Sequence, residues 1–126
     1  MRESDIQTLF SRQNKIDTIY EIKLVKYPKK TLPYSRVEPH QITALMNANS
    51  DKGLSFKISD MSMEKKPCDG FRISNHPAHI VVLYYIPRKS KVIYYIPIKS
   101  FVAEVGPGQG LSEAQAKELA EYTITL

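Results

Sequence analysis

Ile16-Asp17-Thr18-Ile19-Tyr20-Glu21-Ile22-Lys23-Leu24-Val25 decides the architecture, because its residues alternate with period two. Ile16, Thr18, Tyr20, Ile22 and Leu24 point one way, and Asp17, Ile19, Glu21, Lys23 and Val25 the other. The pattern predicts a strand with one apolar face and one face that carries charge.

Upstream, Ser4-Asp5-Ile6-Gln7 has the Ser-x-x-Gln spacing of a capping box, and Ile6, Leu9 and Phe10 follow on one helical face. A short helix is expected over about residues 4–13. Downstream, residues 27–36 hold Pro28 and Pro33 and read as a loop. Glu38-Pro39-His40-Gln41 opens a second helix, since proline suits a first turn, with Ile42, Leu45 and Met46 as its apolar stripe and Gly53 as its stop. Leu54–Ile58 reads as a short strand and Asp60–Pro77 as irregular chain.

The apolar runs His79–Ile86 and Val92–Ile98, joined by Pro87-Arg88-Lys89-Ser90-Lys91, predict a hairpin. Its arms nearly repeat each other at a spacing of ten, Tyr84-Tyr85-Ile86-Pro87 against Tyr94-Tyr95-Ile96-Pro97, without a third copy. Gly106-Pro107-Gly108-Gln109-Gly110 is a break. Ser112-Glu113-Ala114-Gln115 starts a helix to about Glu121, and a β-prone tail, Tyr122–Leu126, follows. The order predicts a mixed α/β domain over residues 1–103, with a C-terminal linker, helix and tail, 104–126, packed on it.

At 126 residues the chain is one domain's worth. Hydrophobic residues at 42% and charged residues at 25% exclude a disordered or collagen-like chain. Cys68 is the single cysteine, which excludes an internal disulfide or a thiolate zinc cluster and fits a reducing compartment. Lys89 and Lys91 interrupt the most hydrophobic stretch, so no run spans a bilayer, and a cytoplasmic location is expected. Net charge is +5. Between Lys15 and Arg36 the basic residues Lys15, Lys23, Lys26, Lys29, Lys30 and Arg36 meet only Asp17 and Glu21. That stretch reads either as a solvated loop or as a phosphate-binding surface.

Glu21-Ile22-Lys23 is the pattern with most chemistry in it. Residues i and i+2 of a strand share a face, about 6.5–7 Å apart along the chain. A carboxylate there can hold Mg²⁺ through oxygen, while a neighbouring lysine orients water or offsets charge on a phosphate in transition. An exposed ion pair on an edge strand is the plain structural alternative.

With its surroundings the chain resembles the Holliday-junction-resolvase-like branch of the PD-(D/E)xK nucleases, especially small phage members. The resemblance runs from Glu3 to about Phe101: Glu3-Ser4-Asp5 with Gln7, Tyr20-Glu21-Ile22-Lys23, Leu32-Pro33-Tyr34, His40-Gln41-Ile42-x-x-Leu45, Gly53–Ile58 and the tyrosine-rich hairpin. It implies a restriction-endonuclease-like core, reduced at its N-terminal hairpin, and a Mg²⁺- or Mn²⁺-dependent endonuclease acting on branched DNA. Glu21 would be a metal ligand, Lys23 the catalytic lysine, Gln41 a residue facing the site, and Glu3 or Asp60 a further metal acid. Lys26, Lys29, Lys30, Arg36 and His40 would hold DNA. A junction has twofold character, so paired cuts imply a homodimer.

The family's acid on a preceding strand has no counterpart here. Asp17 shares the face of Glu21 but lies four residues away, about 13 Å along a strand, too far for one Mg²⁺ with oxygens at about 2.1 Å. Glu3, Glu38, Asp60, Asp69 or an acid from another subunit are the replacements. Without one, the chain is a non-catalytic DNA-binding module; a third reading is an assembly protein with a solvated basic loop. His76, His79 and Cys68 match no standard zinc spacing, and the glycine-rich break lacks a Gly-Lys-Ser/Thr ending. Tyr84, Tyr85, Tyr94 and Tyr95 read first as core or subunit packing and second as rings that stack on bases.

Overall fold

A computed structural model describes residues 1–13, 15–59 and 65–126. The order is α1 (Glu3–Gln13), β1 (Ile19–Lys26), β2 (Thr31–Pro33), a 3₁₀ turn (Tyr34–Arg36), α2 (Pro39–Ala48), β3 (Leu54–Lys57) and β4 (Gly70–Ile73). Then come β5 (Ala78–Tyr85), β6 (Val92–Pro97), α3 (Ile98–Ser100) running into a π-helical turn (Phe101–Val105), β7 (Gly110–Ser112), α4 (Glu113–Leu119) and β8 (Tyr122–Thr125). The protein is a mixed α/β domain around a four-stranded mixed sheet, β1-β5-β6-β8, flanked by helices.

Parallel pairing of β1 with β5 sets Glu21 opposite Ile80 and Lys23 opposite Val82. Parallel neighbours need a crossover connection, which α2 and the β3–β4 hairpin supply. The predicted hairpin forms, with β5 and β6 antiparallel. Strand β5 is buried along nearly its whole length, as expected of a central strand covered on both faces.

One face of the sheet packs Ile22, Leu24, Val81, Leu83, Ile93 and Tyr95 against Ile6 and Phe10 of α1. The other packs Val25, Ile80, Val82, Tyr84, Tyr94 and Ile96 against Leu45, Ile98, Phe101, Val105 and Ala116. The period-two reading of β1 is thus obeyed. Its charged face, however, lies under α2, with Ile19 and Val25 of that face in the larger core.

Several elements depart from the sequence expectations. Strand β1 starts at Ile19, since Asp17 is held by His76 (3.1 Å) and Thr18 donates to the Pro77 carbonyl (3.0 Å). The α1 cap is not Ser4: the helix begins at Glu3, and Asp5 accepts from the Arg2 amide at 2.7 Å. Helix α2 ends at Ala48, and Gly53, at φ +75°, serves the turn into β3 instead. The stretch expected to be irregular contains β4, which pairs with β3, and the proline loop contains β2, which pairs with β7. The second hairpin arm ends at Pro97, so Ile98 leaves the expected run and opens a helical turn that buries Ile98, Phe101 and Val105. Ser112 does cap α4, accepting from the Gln115 amide at 3.2 Å. The β-prone tail becomes β8, antiparallel to β6.

Three of the four hairpin tyrosines are core, and Tyr85 is half-buried against it. Tyr84 is 8% exposed, Tyr94 1% and Tyr95 0%, all inside this one chain, so their burial is not a subunit contact. Tyr84 donates its hydroxyl to the Leu111 carbonyl at 2.6 Å, and Tyr94 donates to Glu113 Oε2 at 2.8 Å. Burial, reinforced by Glu113, pushes the Tyr94 hydroxyl up to about 12. Burial chiefly pushes Tyr95 up to about 12 as well, and it raises Tyr84. No helix among the described residues is long and apolar enough to cross a membrane.

Two stability measurements test this packing. Tyr84→Phe strands a buried carbonyl and should cost about 1–2 kcal/mol in urea unfolding. The raised tyrosines stay protonated in the native state after the unfolded chain has begun to ionise. Stability should therefore be full below about pH 10 and fall toward about pH 12. Tyr94→Phe should flatten part of that fall, read from urea midpoints at about pH 8 and about pH 11.

Candidate active site

Glu21 and Lys23 project from the middle of β1 toward the N-terminal end of α2. Lys23 Nζ lies 3.4 Å from Glu21 Oε1. Gln41 Nε2 donates to the same Oε1 at 2.9 Å. Gln41 sits in the first turn of α2, which Pro39 begins after the Glu38 cap. Its own Oε1 accepts from the Glu38 amide at 3.0 Å, so the capping bond fixes which end of the side-chain amide faces Glu21. One hydrogen-bonding motif thus both starts the helix and aims a donor at the carboxylate.

The pair is unevenly solvated. The Lys23 side chain is 9% exposed and that of Glu21 29%. Both contacts to Glu21 fall on Oε1, and Oε2 takes part in neither. Glu21 also lines a cavity of about 570 Å³ with Ser4, Gln7 and Thr8 of α1 and with Tyr20 and Ile22. Freed from the capping role expected of them, Ser4 and Gln7 are exposed polar walls of this cavity. Their spacing on one helix face was the available sequence signal.

The remaining predicted residues divide into two groups. Lys26, Lys29, Lys30 and Arg36 line one neighbouring cavity of about 760 Å³, together with Arg2 and Glu3. Glu3 is committed there: its Oε2 accepts from the Leu24 amide at 3.3 Å and lies 3.6 Å from Arg36 Nη2. That amide is three residues from Glu21, about 10 Å along the strand. His40 stays apart from this cavity, at the exposed start of α2, with Nδ1 3.2 Å from Glu38 Oε2. Asp69 is exposed and pairs with Lys66 at 3.3 Å. Asp60 lies outside the described residues.

Mg²⁺ is commonly held by one or two carboxylates plus waters and substrate phosphate oxygens. Glu21 offers one such carboxylate, 29% exposed and with Oε2 outside its contacts to Lys23 and Gln41, which fits that minimal donor set. Among the described residues no three His, Cys, Asp or Glu side chains form a cluster able to hold a metal alone.

Asp17 lies off the strand and meets His76 Nε2 at 3.1 Å. A buried polar cluster escaped the sequence reading: His79, 1% exposed, contacts Thr18 Oγ1 through Nδ1 and Glu121 Oε2 through Nε2 (3.1 Å). Its ring meets Tyr95 and Tyr122 edge-on. This cluster ties the tail to the sheet, and only the pairing of distant segments brings it together.

The chain matches no protein-family model, no curated protein and no solved structure.

A double-mutant cycle tests the electrostatics of the pair. Glu21→Ala leaves the Lys23 ammonium buried without its carboxylate and should cost about 1–3 kcal/mol. Lys23→Met replaces that ammonium with an apolar chain of similar length and should change stability by less than about 1 kcal/mol. The double variant should recover most of the loss, whereas additive urea midpoints would show that the two groups do not interact.

Proposed function

We propose that this chain is a metal-dependent endonuclease that hydrolyses phosphodiester bonds in branched DNA, of the Holliday-junction-resolvase-like PD-(D/E)xK kind. The observation that carries the reading is the convergence of Lys23 Nζ and Gln41 Nε2 on one oxygen of Glu21. The basic cavity beside it on the same strand adds a means of holding a polyanion.

In this reading Glu21 would hold Mg²⁺ or Mn²⁺. The metal would supply Lewis-acid polarisation of the phosphate and a more acidic bound water. Lys23 contributes a positive charge that packing keeps out of bulk water, where it acts more strongly on charge developing at a phosphate oxygen. Gln41 orients the Glu21 carboxylate, and its position follows from the helix cap. Lys26, Lys29, Lys30 and Arg36 position the DNA backbone without reading its sequence. The second metal acid is Asp60, Glu3 after release from Arg36, or a carboxylate of a second copy; a homodimer also suits the twofold symmetry of a junction.

A second reading, a DNA-binding module without catalysis, draws support from the contacts of Glu21, which run to Lys23 and Gln41 and to no other acid among the described residues. One experiment decides between them. The chain is incubated with a four-way junction in EDTA and then with Mg²⁺ or Mn²⁺. The endonuclease reading expects binding in EDTA, cleavage with metal, and loss of cleavage by a factor of about 10² or more in Glu21→Gln with binding retained. Binding without cleavage in either metal selects the module. An affinity that stays flat as salt rises removes DNA as the partner altogether, because phosphate contacts release counterions.

A further inference from the structure

The aromatic side chain most open to solvent among the described residues is Tyr27, at 59% exposure. Its backbone is anchored: the Tyr27 amide donates to the Tyr85 carbonyl at 2.9 Å, and the Lys29 amide to the Lys26 carbonyl at 2.9 Å. The ring meets no other aromatic ring among the described residues. A firmly held backbone therefore presents a bare ring to water.

The surroundings of that ring are cationic. Lys26, Lys29 and Lys30 are exposed and form no ion pair among the described residues. Tyr27, Lys29 and Lys30 also line two cavities at once, the basic one of about 760 Å³ and another of about 400 Å³ bordered by Tyr85, Ile86 and Glu113. The segment is thus a ridge between two hollows, carrying an aromatic plane with ammonium groups beside it. Along β1, Tyr27 is six residues beyond Glu21, about 20 Å. The cavity at Glu21 and the cavity at Tyr27 meet consecutive parts of the same edge strand, Ile22 in one and Leu24 in the other.

We propose that Tyr27 is a stacking platform for an unpaired base, so that this ridge takes a single-stranded arm of DNA leading from the Glu21 site. The inference deepens the proposed function and rests on its DNA-binding half. A base offers its flat face only when it is unstacked from a neighbour, and an aromatic ring among phosphate-binding cations matches that chemistry. A closed duplex would meet the lysines but leave the ring without a partner. The platform makes Tyr27 a determinant of which DNA structure is preferred and gives it no part in bond cleavage.

The test uses the full chain in EDTA and fluorescence anisotropy with three labelled DNAs of matched sequence: a single strand, a duplex with a single-stranded flap, and a blunt duplex. Tyr27→Ala should weaken binding of the single strand and the flap by about 5- to 100-fold and leave the blunt duplex within about 2-fold. Tyr27→Phe should restore binding, since stacking needs the ring and not the hydroxyl. The salt slope of Tyr27→Ala should match the parent, whereas Lys29→Ala and Lys30→Ala should each lower it by about 1. Unchanged binding of Tyr27→Ala to the flap, equal losses on flap and blunt duplex, or failure of Tyr27→Phe to restore binding would each overturn the proposal. Because EDTA removes cleavage from the measurement, a chain that grips the flap through Tyr27 yet cuts nothing with metal keeps this inference and loses the endonuclease reading. A chain that binds none of the three loses both.

Discussion

Strand β5 is apolar on both faces, and water has to be excluded from each of them. Much of the remaining fold answers that demand. Helix α1 covers one face with Ile6 and Phe10, while α2, the turn after β6, and α4 cover the other with Leu45, Phe101 and Ala116. Strand β1 supplies the parallel hydrogen-bonding partner, and its alternation then has no freedom left. Ile22 and Leu24 must meet α1, so Glu21 and Lys23 must meet α2. A one-residue slip would bury both charges against Ile6 and Phe10. The candidate site is therefore fixed by the packing of apolar residues that take no part in it.

The same placement explains why two lysine populations in one short segment differ. Lys23 is drawn into the layer between sheet and helix, where a lone ammonium would be costly, and Glu21 lies alongside to offset that cost. Lys26, Lys29 and Lys30 follow where the strand leaves the sheet and stand in solvent. Desolvation confers local strength on the first charge. The others act over longer distances and are screened by salt. A polyanion drawn in by the second population would find the first already oriented.

What the sequence disclosed followed from short-range rules. Alternation over Ile19–Val25, the proline-led start of α2, the Ser112/Gln115 spacing and the two apolar arms of the hairpin are patterns among nearby residues, and each matches the structure. The departures arise where a distant partner outweighs a local preference. Asp17 leaves the strand because His76 is available, and Ile98 leaves the hairpin arm because it then reaches one core with Phe101 and Val105. Three-residue β2 exists only by virtue of β7, some eighty positions later. The same division holds at the site: Glu21 and Lys23 are neighbours in the text, and Gln41 joins them by a legible helix start. The Thr18–His79–Glu121 cluster has no local signature, and Tyr27 stands out only once the exposures of the rings are compared.

The tail strand bears on how the sheet terminates. Tyr122-Thr123-Ile124-Thr125 pairs with β6 and becomes the outermost rung, only four residues long. Had β6 been left bare, its amides flanking Ile93 and Tyr95 would form a greasy template on which identical molecules could stack into fibrils. Instead the rim shown to the outside is brief and rich in threonine hydroxyls, a poor seed for such growth. Tyr122–Thr125 thereby leaves the sheet an edge too short to template strand-on-strand growth.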